Sequence, residues 1–209
     1  MTASIQEDWK KITLSSYDRN AEEFASFTTI FRGKLKKWIE YFSDQLPKGS
    51  LILDVGCGAG RDASYLIGKG LSVTGIDFSK RLIQIARKNV PNGKFIVMDF
   101  EKLDFPQRYF DGIWASASLY HIPRKNLLAT LKKLNAVLKK DGLFFCLFRV
   151  GSGERFTKEK RGKAVLKRFA AYYNPEELEV LLSNAKFKNV ISELDLIDTG
   201  DWVGFFGRK

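Results

Sequence analysis

The chain has 209 residues and a mass of 23.8 kDa, which suits one large domain or one domain with a small appendage. Apolar residues make up 44% and charged residues 28% of the sequence, so a disordered, collagen-like or coiled-coil chain is excluded. The formal net charge of +11 could attract anions or nucleic acid, although net charge alone is weak evidence for either.

The sequence favours neither a targeting signal nor a metal site. Its apolar runs fall short of the roughly 20 residues of a membrane span, and the start, MTASIQEDWKK, lacks the apolar core of a signal peptide. We therefore expect a cytoplasmic protein without a membrane partner. Cys57 and Cys146 each lie in an apolar stretch and are expected to be reduced, packed thiols. A single histidine and the absence of metal-ligand spacing predict no metal.

The predicted elements begin with two helices over residues 4–45, where apolar residues recur at spacings of three and four. Pro47 and Gly49 end this region. Residues 1–48 are therefore expected to form a helical cap.

Short apolar strands then alternate with helices. Strands are predicted at residues 51–55, 71–76, 94–98, 110–115 and 143–148, and helices at 61–67, 79–89 (N-capped by Ser79) and 126–138. Alternating strands and helices form right-handed βαβ units, which place helices on both faces of a parallel sheet. An α/β core is thus expected over residues 50–150.

The remainder of the chain, residues 151–209, follows another pattern. It begins with a polar, basic, glycine-bearing segment that is expected to be a mobile loop, at residues 151–162. Pro175 should begin a helix that is N-capped by Asn174 and runs to Asn184. Two strands are predicted last, at residues 187–196 and 202–207, and their short connection permits only antiparallel pairing. We expect one domain over residues 1–209.

The strongest chemical signal is the glycine-rich turn DVGCGAG at residues 54–60, which joins the first strand to a helix. Glycines let the backbone lie close to a ligand. The dinucleotide fingerprint is G-x-G-x-x-G, and here Arg61 occupies the position of its third glycine. This spacing disfavours a nicotinamide or flavin oxidoreductase and favours a ligand without phosphates.

Acidic residues follow the next two strands. Asp77, directly after the second strand, could accept hydrogen bonds from both hydroxyls of a ribose, or could be a carboxylate at a helix N-terminus. Asp99 and Phe100, after the third strand, could hold an adenine by its amino group and its face. Their alternative is a loop aspartate beside a core phenylalanine.

These residues together resemble the class I S-adenosylmethionine-dependent methyltransferases. The segment LDVGCGAG is similar to the family's first motif, Asp77 to its ribose-binding acid and Asp99 to its adenine-side acid. Residues 110–115 resemble the fourth-strand motif. Residues 138–144 resemble the motif that joins a helix to the fifth strand, although Lys-Asp replaces its Pro-Gly.

Weaker similarity covers the whole chain. Residues 17–24 resemble the N-terminal helix of small-molecule methyltransferases, and the tail resembles the type 11 and type 25 enzymes near the tellurite-resistance group. The resemblance implies a Rossmann-like, doubly wound sheet of seven strands in the order 3-2-1-4-5-7-6, with strand seven antiparallel and helices on both faces. S-adenosyl-L-methionine would lie across the carboxyl ends of strands one, two and four, and S-adenosyl-L-homocysteine would be the product.

The resemblance also implies a set of cofactor-binding residues, in which Tyr17 would act as a lid and Asp54 would orient the loop or reach the amino group through water. The set is Tyr17, Asp54, Gly56, Cys57, Gly58, Ala59, Gly60, Asp77, Phe78, Asp99, Phe100, Ala115 and Ser116, with Ser118 also on the sulfonium side.

Methyl transfer from a sulfonium needs a base only where the nucleophile must lose a proton. His121, just past the fourth strand, is the candidate base or substrate contact. Alternatively it packs in its loop or caps the next helix. Tyr172 and Tyr173 could reach the mouth of the site or pack as core aromatics.

The predicted function is methyl transfer to a small-molecule acceptor by a monomer or homodimer. An RNA methyltransferase and a non-catalytic module that binds S-adenosylmethionine or nucleic acid are the alternatives. Residues 116–119 read Ser-Ala-Ser-Leu, which departs from the Asn-Pro-Pro-aromatic motif of DNA and glutamine amino-methylating enzymes. Residues 149–168 carry eight basic side chains against two acidic ones, a net charge of +6. This segment is predicted either to be a lid that favours an anionic acceptor or to be a solvated surface.

Overall fold

The chain is described here by a computed structural model that covers residues 4–31, 33–197 and 200–209. Its helices are α1 (Ser4–Arg19), α2 (Ala21–Phe27), α3 (Leu35–Asp44), α4 (Arg61–Gly68), α5 (Lys80–Asn89), α6 (Arg124–Val137) and α7 (Pro175–Asn184). Its strands are β1 (Leu51–Val55), β2 (Ser72–Asp77), β3 (Lys94–Val97), β4 (Phe110–Ala115), β5 (Leu138–Arg149), β6 (Glu154–Arg161), β7 (Ala164–Ala171), β8 (Lys188–Ile197) and β9 (Gly200–Arg208).

Seven of these strands form one sheet in the order β3-β2-β1-β4-β5-β9-β8. The first five are parallel to their neighbours, whereas β9 runs antiparallel to both β5 and β8. Since β8 and β9 are the sixth and seventh strands of this sheet along the chain, the predicted α/β arrangement is confirmed. The strand numbers differ from the predicted ones because β6 and β7, which come between β5 and β8 along the chain, form a separate two-stranded sheet.

The strand order reverses between β1 and β4. Right-handed crossovers therefore send α4 and α5 to one face of the sheet and α6 to the other. Both central strands are buried, as their near-continuous apolar sequences require. The ring of Trp114 on β4 stacks on Phe145 of β5, with the ring centroids 4.0 Å apart. This stack packs β4 against β5 one residue before the end of β4.

The N-terminal region forms three helices, not the two expected from its periodicity. Asn20 separates α1 from α2, and its side-chain nitrogen donates to the carbonyl oxygen of Ser16 at 2.8 Å. An asparagine that bonds nearby backbone in this way competes with the helix. The apolar spacing from Phe24 to Phe42 continues across the second break, between α2 and α3, so the sequence pattern predicted one helix where the structure has two.

The segment predicted as a mobile basic loop is an antiparallel hairpin, β6–β7, whose strands pair from Glu154–Ala171 to Arg161–Ala164. Over its first five residues, strand β7 alternates buried Ala164, Leu166 and Arg168 with exposed residues, which is the period of a strand, and the remaining residues of β7 are all buried. The high charge of the segment concealed this alternation. The expectation of a loop was therefore wrong.

Helix α1 covers the outer edge of this hairpin. The backbone N–H groups of Lys167 and Phe169 donate to Ser16 Oγ at 2.9 Å and to Thr13 Oγ1 at 3.0 Å. Edge strands present unpaired N–H groups that must find acceptors. Two hydroxyls of α1 therefore attach the helical cap to β7.

The predicted caps and the terminal strand pair are confirmed. Ser79 Oγ accepts from the backbone N–H of Leu82 at 3.1 Å, and Asn174 forms a capping box with Glu177. Strands β8 and β9 pair antiparallel, and residues 198–199, part of their predicted connection, lie outside the described ranges. None of the described helices is long and apolar enough to cross a membrane.

Candidate functional site

A cavity of about 1300 Å³, counting the open solvent at its mouth, lies where β1, β2 and β4 end. Its wall includes the turn at residues 56–59, the residues after β2 and the loop at residues 116–118. Helices α1 and α2 and the hairpin β6–β7 also contribute to the wall, for example through Tyr17, Phe24 and Arg168. The reversal of strand order between β1 and β4 creates such a crevice in open α/β sheets.

Three glycines shape the turn after β1 in three ways. Gly56 has φ +72° and a Cβ there would collide with Ser118, so it permits the turn to meet the loop after β4. Gly58 has φ +54°, and the one described atom within 4 Å of its Cβ position is Phe24 Cε1, at 3.8 Å. Gly60 faces Val90 on the α5 side. Gly58 therefore leaves space in the cavity, whereas Gly60 allows helix packing.

Asp77 ties this turn to the start of α5. Its Oδ2 accepts from the backbone N–H of Gly58 at 3.0 Å, and its Oδ1 accepts from that of Ser79 at 2.9 Å. Burial raises the pKa of Asp77 to about 6, although the backbone hydrogen bonds oppose that shift. Each carboxylate oxygen can accept a further hydrogen bond.

Three buried polar atoms beside the turn lack hydrogen-bond partners within the described part of the chain: Asp54 Oδ2, Ser116 Oγ and Ser118 Oγ. Burial and the charge of Asp62 raise the pKa of Asp54 well above its ordinary value. Unsatisfied buried groups are uncommon and costly unless a ligand or water completes them. They lie at the end of β1 and after β4, where the resemblance places the amino group and the sulfonium of the cofactor.

An aromatic wall lies on the Asp77 side of the cavity. The Phe78 and Phe100 rings both line it, with their centroids 6.1 Å apart. Asp99 does not line it, because its Oδ2 accepts from Lys10 Nζ at 2.5 Å and its Oδ1 accepts from the backbone N–H of Glu101. The predicted adenine-side acid is thus engaged in an ion pair with α1.

The structure brings together most of the sequence-predicted cofactor residues. Those that line the cavity are Tyr17, Asp54, Gly56, Cys57, Gly58, Ala59, Asp77, Phe78, Phe100, Ser116 and Ser118, together with His121. Gly60, Asp99 and Ala115 do not line it; Ala115 is buried within β4. Tyr173 packs against Phe148 and Tyr172 lies beneath Arg155, so both are packing aromatics.

A hydrogen-bonded chain crosses one side of the cavity. Arg168 Nη1 donates to Tyr17 Oη at 2.6 Å, and Tyr17 Oη lies 3.0 Å from His121 Nε2. His121 Nδ1 lies 2.6 Å from the carbonyl oxygen of Phe169. Because a carbonyl only accepts, Nδ1 carries a hydrogen, and since burial and the charge of Arg168 lower the pKa of His121, Nε2 is unprotonated and accepts from the Tyr17 hydroxyl. The imidazole is therefore neutral and holds the tyrosine in place.

Burial, together with the charge of Arg168, lowers the pKa of His121 to about 3. The unfolded chain should bind a proton on this residue below about pH 6.5, whereas the folded chain should not do so until about pH 3. Over that window the unfolded state binds more protons, so this residue makes stability fall as the pH decreases.

We expect the imidazole resonances of the folded protein to show no titration between pH 5 and pH 8. The sequence contains one histidine, so a single Hε1 signal reports on it. The matched control is the same protein in urea, where the signal should titrate near pH 6.5. A midpoint between pH 6 and 7 in the folded protein would contradict the buried, neutral assignment.

Several cavity residues were not predicted from the sequence. Arg168 and Tyr120 lie at one side, and Leu147, Asp195 and Trp202 come from β5, β8 and β9. The alternation of apolar and polar residues along β7 could have predicted Arg168 as a site residue, because it places this charged residue at an inward position two residues after Leu166. Among the described residues there is no cluster of three His, Cys, Asp or Glu side chains that could hold a metal ion.

Comparison with known proteins agrees with this geometry. Residues 52–142 match a family model described as a methyltransferase domain. The 2-methyl-6-phytyl-1,4-hydroquinone methyltransferase of Synechocystis is 38% identical over 105 residues, which cover 48% of this chain and 32% of that protein. The demethylmenaquinone methyltransferase of Staphylococcus carnosus is 30% identical over 175 residues, which cover 71% of this chain and 72% of that protein.

A solved structure shares the fold. The magnesium protoporphyrin IX methyltransferase of Synechocystis, with bound S-adenosylhomocysteine, superposes with a TM-score of 0.76 at 14% identity, covering 96% of this chain and 99% of that one.

Fold and cavity together define a Rossmann-like α/β domain with an open cavity at the switch point of its sheet. On the strength of the sequence matches, the chain belongs to the class I S-adenosylmethionine-dependent methyltransferases. The matched region spans about a third of the length of the Synechocystis hydroquinone enzyme. The matches do not confirm a narrower placement near the tellurite-resistance enzymes.

Proposed function

We propose that this protein transfers a methyl group from S-adenosylmethionine to a small-molecule acceptor. The observation that carries the proposal is the buried carboxylate of Asp77 beside the open space at Gly58, with unsatisfied polar atoms on Asp54 and Ser116 nearby. The relatives are named for methylation of a hydroquinone and of demethylmenaquinone, which supports a small acceptor over RNA. A cytoplasmic location and a monomeric or homodimeric state are part of this proposal.

When bound, S-adenosylmethionine supplies a methyl group on a positively charged sulfur, and the acceptor would displace that sulfur in line from the methyl carbon. Asp77 would accept hydrogen bonds from the ribose hydroxyls, and Phe78 and Phe100 would contact the adenine. Asp54 would receive the amino group through Oδ2. Tyr17, whose ring is buried, would cover the cofactor and exclude water.

In this proposal His121 is a positioning residue, not the base that its place in the sequence suggested. Its Nε2 already accepts from Tyr17, and its low pKa makes it a poor proton acceptor near pH 7. The reaction would therefore suit an acceptor whose nucleophilic atom is already deprotonated or needs no deprotonation.

Two measurements test the proposal. Titration calorimetry should detect S-adenosylmethionine and S-adenosylhomocysteine binding, with NAD as the matched negative control. Methyl label from the cofactor should then enter the small-molecule fraction of a cell extract and not its RNA. Binding of NAD in place of S-adenosylmethionine would overturn the assignment, and label in RNA would favour the alternative acceptor.

We further propose that the exposed basic face of the hairpin β6–β7 favours an anionic acceptor. Lys158, Lys160 and Lys163 are exposed on the hairpin that contributes to the cavity wall. The Debye length is about 8 Å at physiological salt, so exposed charges act chiefly at short range. Their contribution should therefore depend on ionic strength.

Replacing these three lysines by glutamine should raise the KM for the labelled acceptor several-fold at low salt, while leaving cofactor affinity unchanged. High salt should raise the wild-type KM to that of the variant. Steady-state kinetics at 20 and 300 mM salt makes the comparison. A wild-type KM and salt response in the triple variant would show that this charge only solubilises the protein.

A further inference from the structure

Arg168 is a buried cation in the wall of the cavity. Arg168 is 3% exposed, and it lines the cavity together with Tyr17, Tyr120 and His121. Nη1 donates to Tyr17 Oη at 2.6 Å and lies 3.3 Å from Tyr120 Oη, while Nη2 forms an ion pair with Glu159. Nε is buried without a hydrogen-bond partner within the described ranges. One donor of this guanidinium is thus unused, at a cost in stability.

Among the described residues, the ion pairs of this guanidinium and its neighbour do not balance in charge. Arg149 and Arg168 both form ion pairs with the single carboxylate of Glu159, one with each oxygen. Two largely buried cations that share one carboxylate leave an excess of positive charge, and a buried charge is costly unless it is compensated. An anion entering the cavity beside Arg168 would compensate this excess charge.

Tyr120 supplies a second donor beside Arg168. Its hydroxyl oxygen accepts from the guanidinium, so its own hydrogen points elsewhere. Tyr120 lies edge-on to Trp202, with the ring centroids 5.6 Å apart, and both rings line the cavity. The guanidinium of Arg168 and the hydroxyl of Tyr120 therefore lie next to the rings of Tyr120 and Trp202. This combination suits an aromatic ring that bears an acidic oxygen.

We propose that Arg168, assisted by Tyr120, binds an anionic oxygen, a carboxylate or phenolate, on an aromatic methyl acceptor that contacts Trp202. This inference rests on the proposed function, because it assigns the acceptor side of the same cavity. Arg168 comes from the hairpin, whereas the carboxylates expected to receive the cofactor, Asp54 and Asp77, come from the ends of β1 and β2. The cofactor carries a carboxylate of its own, so the proposal assigns Arg168 to the acceptor's oxygen and is tested with the cofactor site already filled by S-adenosylhomocysteine.

Benzoate and benzamide are matched probes, because they share shape and differ in charge. Their dissociation constants are measured by NMR titration of the protein saturated with S-adenosylhomocysteine. The wild type should bind benzoate at least about tenfold more tightly than benzamide. This preference should disappear in Arg168→Met. It should persist in Lys167→Met, which removes the same charge from the adjacent, outward position of β7.

A measurement on the wild type keeps the inference testable if the methionine variant fails to fold. In the wild type, the ¹H–¹⁵N signal of the Arg168 Nε–H group, assigned by its loss in Arg168→Lys, should shift on addition of benzoate and not of benzamide. These shifts test the contact in a protein whose folding is unaltered.

Equal binding of benzoate and benzamide by the wild type would overturn the inference, as would an unchanged preference in Arg168→Met. A tenfold loss of S-adenosylhomocysteine affinity in Arg168→Met, with the benzoate preference retained, would also overturn it, since Arg168 would then serve the cofactor. A wild type that does not bind S-adenosylhomocysteine would instead overturn the proposed function itself.

Discussion

Replacing Gly58 by valine should abolish S-adenosylmethionine binding and leave the sheet folded. Gly58 has φ +54° and its Cβ position opens toward the cavity, with Phe24 Cε1 at 3.8 Å as the nearest described atom. Both branches of a valine side chain would occupy space that the cofactor needs. The left-handed backbone would also be strained by about 1–2 kcal/mol, which is small beside typical domain stability.

Gly49→Val is the matched control. Gly49 has φ +83°, no described atom lies within 4 Å of its Cβ position, and it precedes β1, at the opposite edge of the sheet. It should therefore bear a similar backbone strain without losing affinity. Circular dichroism reports the fold and calorimetry reports binding. Retained affinity in Gly58→Val would show that the glycine serves the turn and not the ligand.

The central sheet could be predicted because its residues carry local and mutually consistent signals. Strand β4 was predicted at its observed bounds, residues 110–115, and the helix at residues 175–184 was fixed by Pro175 and the cap Asn174. The antiparallel end of the sheet followed from the short connection between its last two strands. Each of these inferences needs only a few neighbouring residues.

The acceptor side of the cavity could not be predicted, because it depends on contacts between distant parts of the chain. Arg168 meets Tyr17 across 151 positions of sequence, and the hairpin that carries it was obscured by its charge. Hydrophobic patterning detects which face of a strand is buried, and it assigns lysine and arginine to solvent unless a partner is known. Arg168 is buried because its partners come from α1, β6 and the loop after β4.

Position after a strand also proved an incomplete guide to the site. Asp77 and Asp99 both follow parallel strands, yet Asp77 lines the cavity while Asp99 pairs with Lys10 of α1. The two aspartates have equivalent local sequence signals. Only the course of the N-terminal helix distinguishes them, and that course is set by its attachment to β7.

Asp77→Ala is the second substitution expected to have a large effect. It should weaken S-adenosylmethionine binding by about 2–3 kcal/mol, roughly 30- to 150-fold, because the ribose hydroxyls lose a charged, buried acceptor. Asp111→Ala is the matched control: it removes a carboxylate that accepts from the backbone N–H of Leu51 at the start of β1, at the other edge of the sheet. Its cofactor affinity should equal that of the wild type.

The pKa of Asp77 makes the same contact testable without removing the side chain. Because burial raises this pKa to about 6, the carboxylate is ionised at pH 7.5 and becomes protonated as the pH falls through 6. Cofactor affinity should therefore be constant above about pH 7 and decrease by up to about tenfold per pH unit below pH 6. Asp77→Asn keeps an acceptor oxygen but cannot titrate, so its weaker affinity should not vary with pH in this range. A wild-type dissociation constant that stays flat from pH 7.5 to 5, or an Asp77→Ala protein that is folded and binds with unchanged affinity, would remove Asp77 from the site.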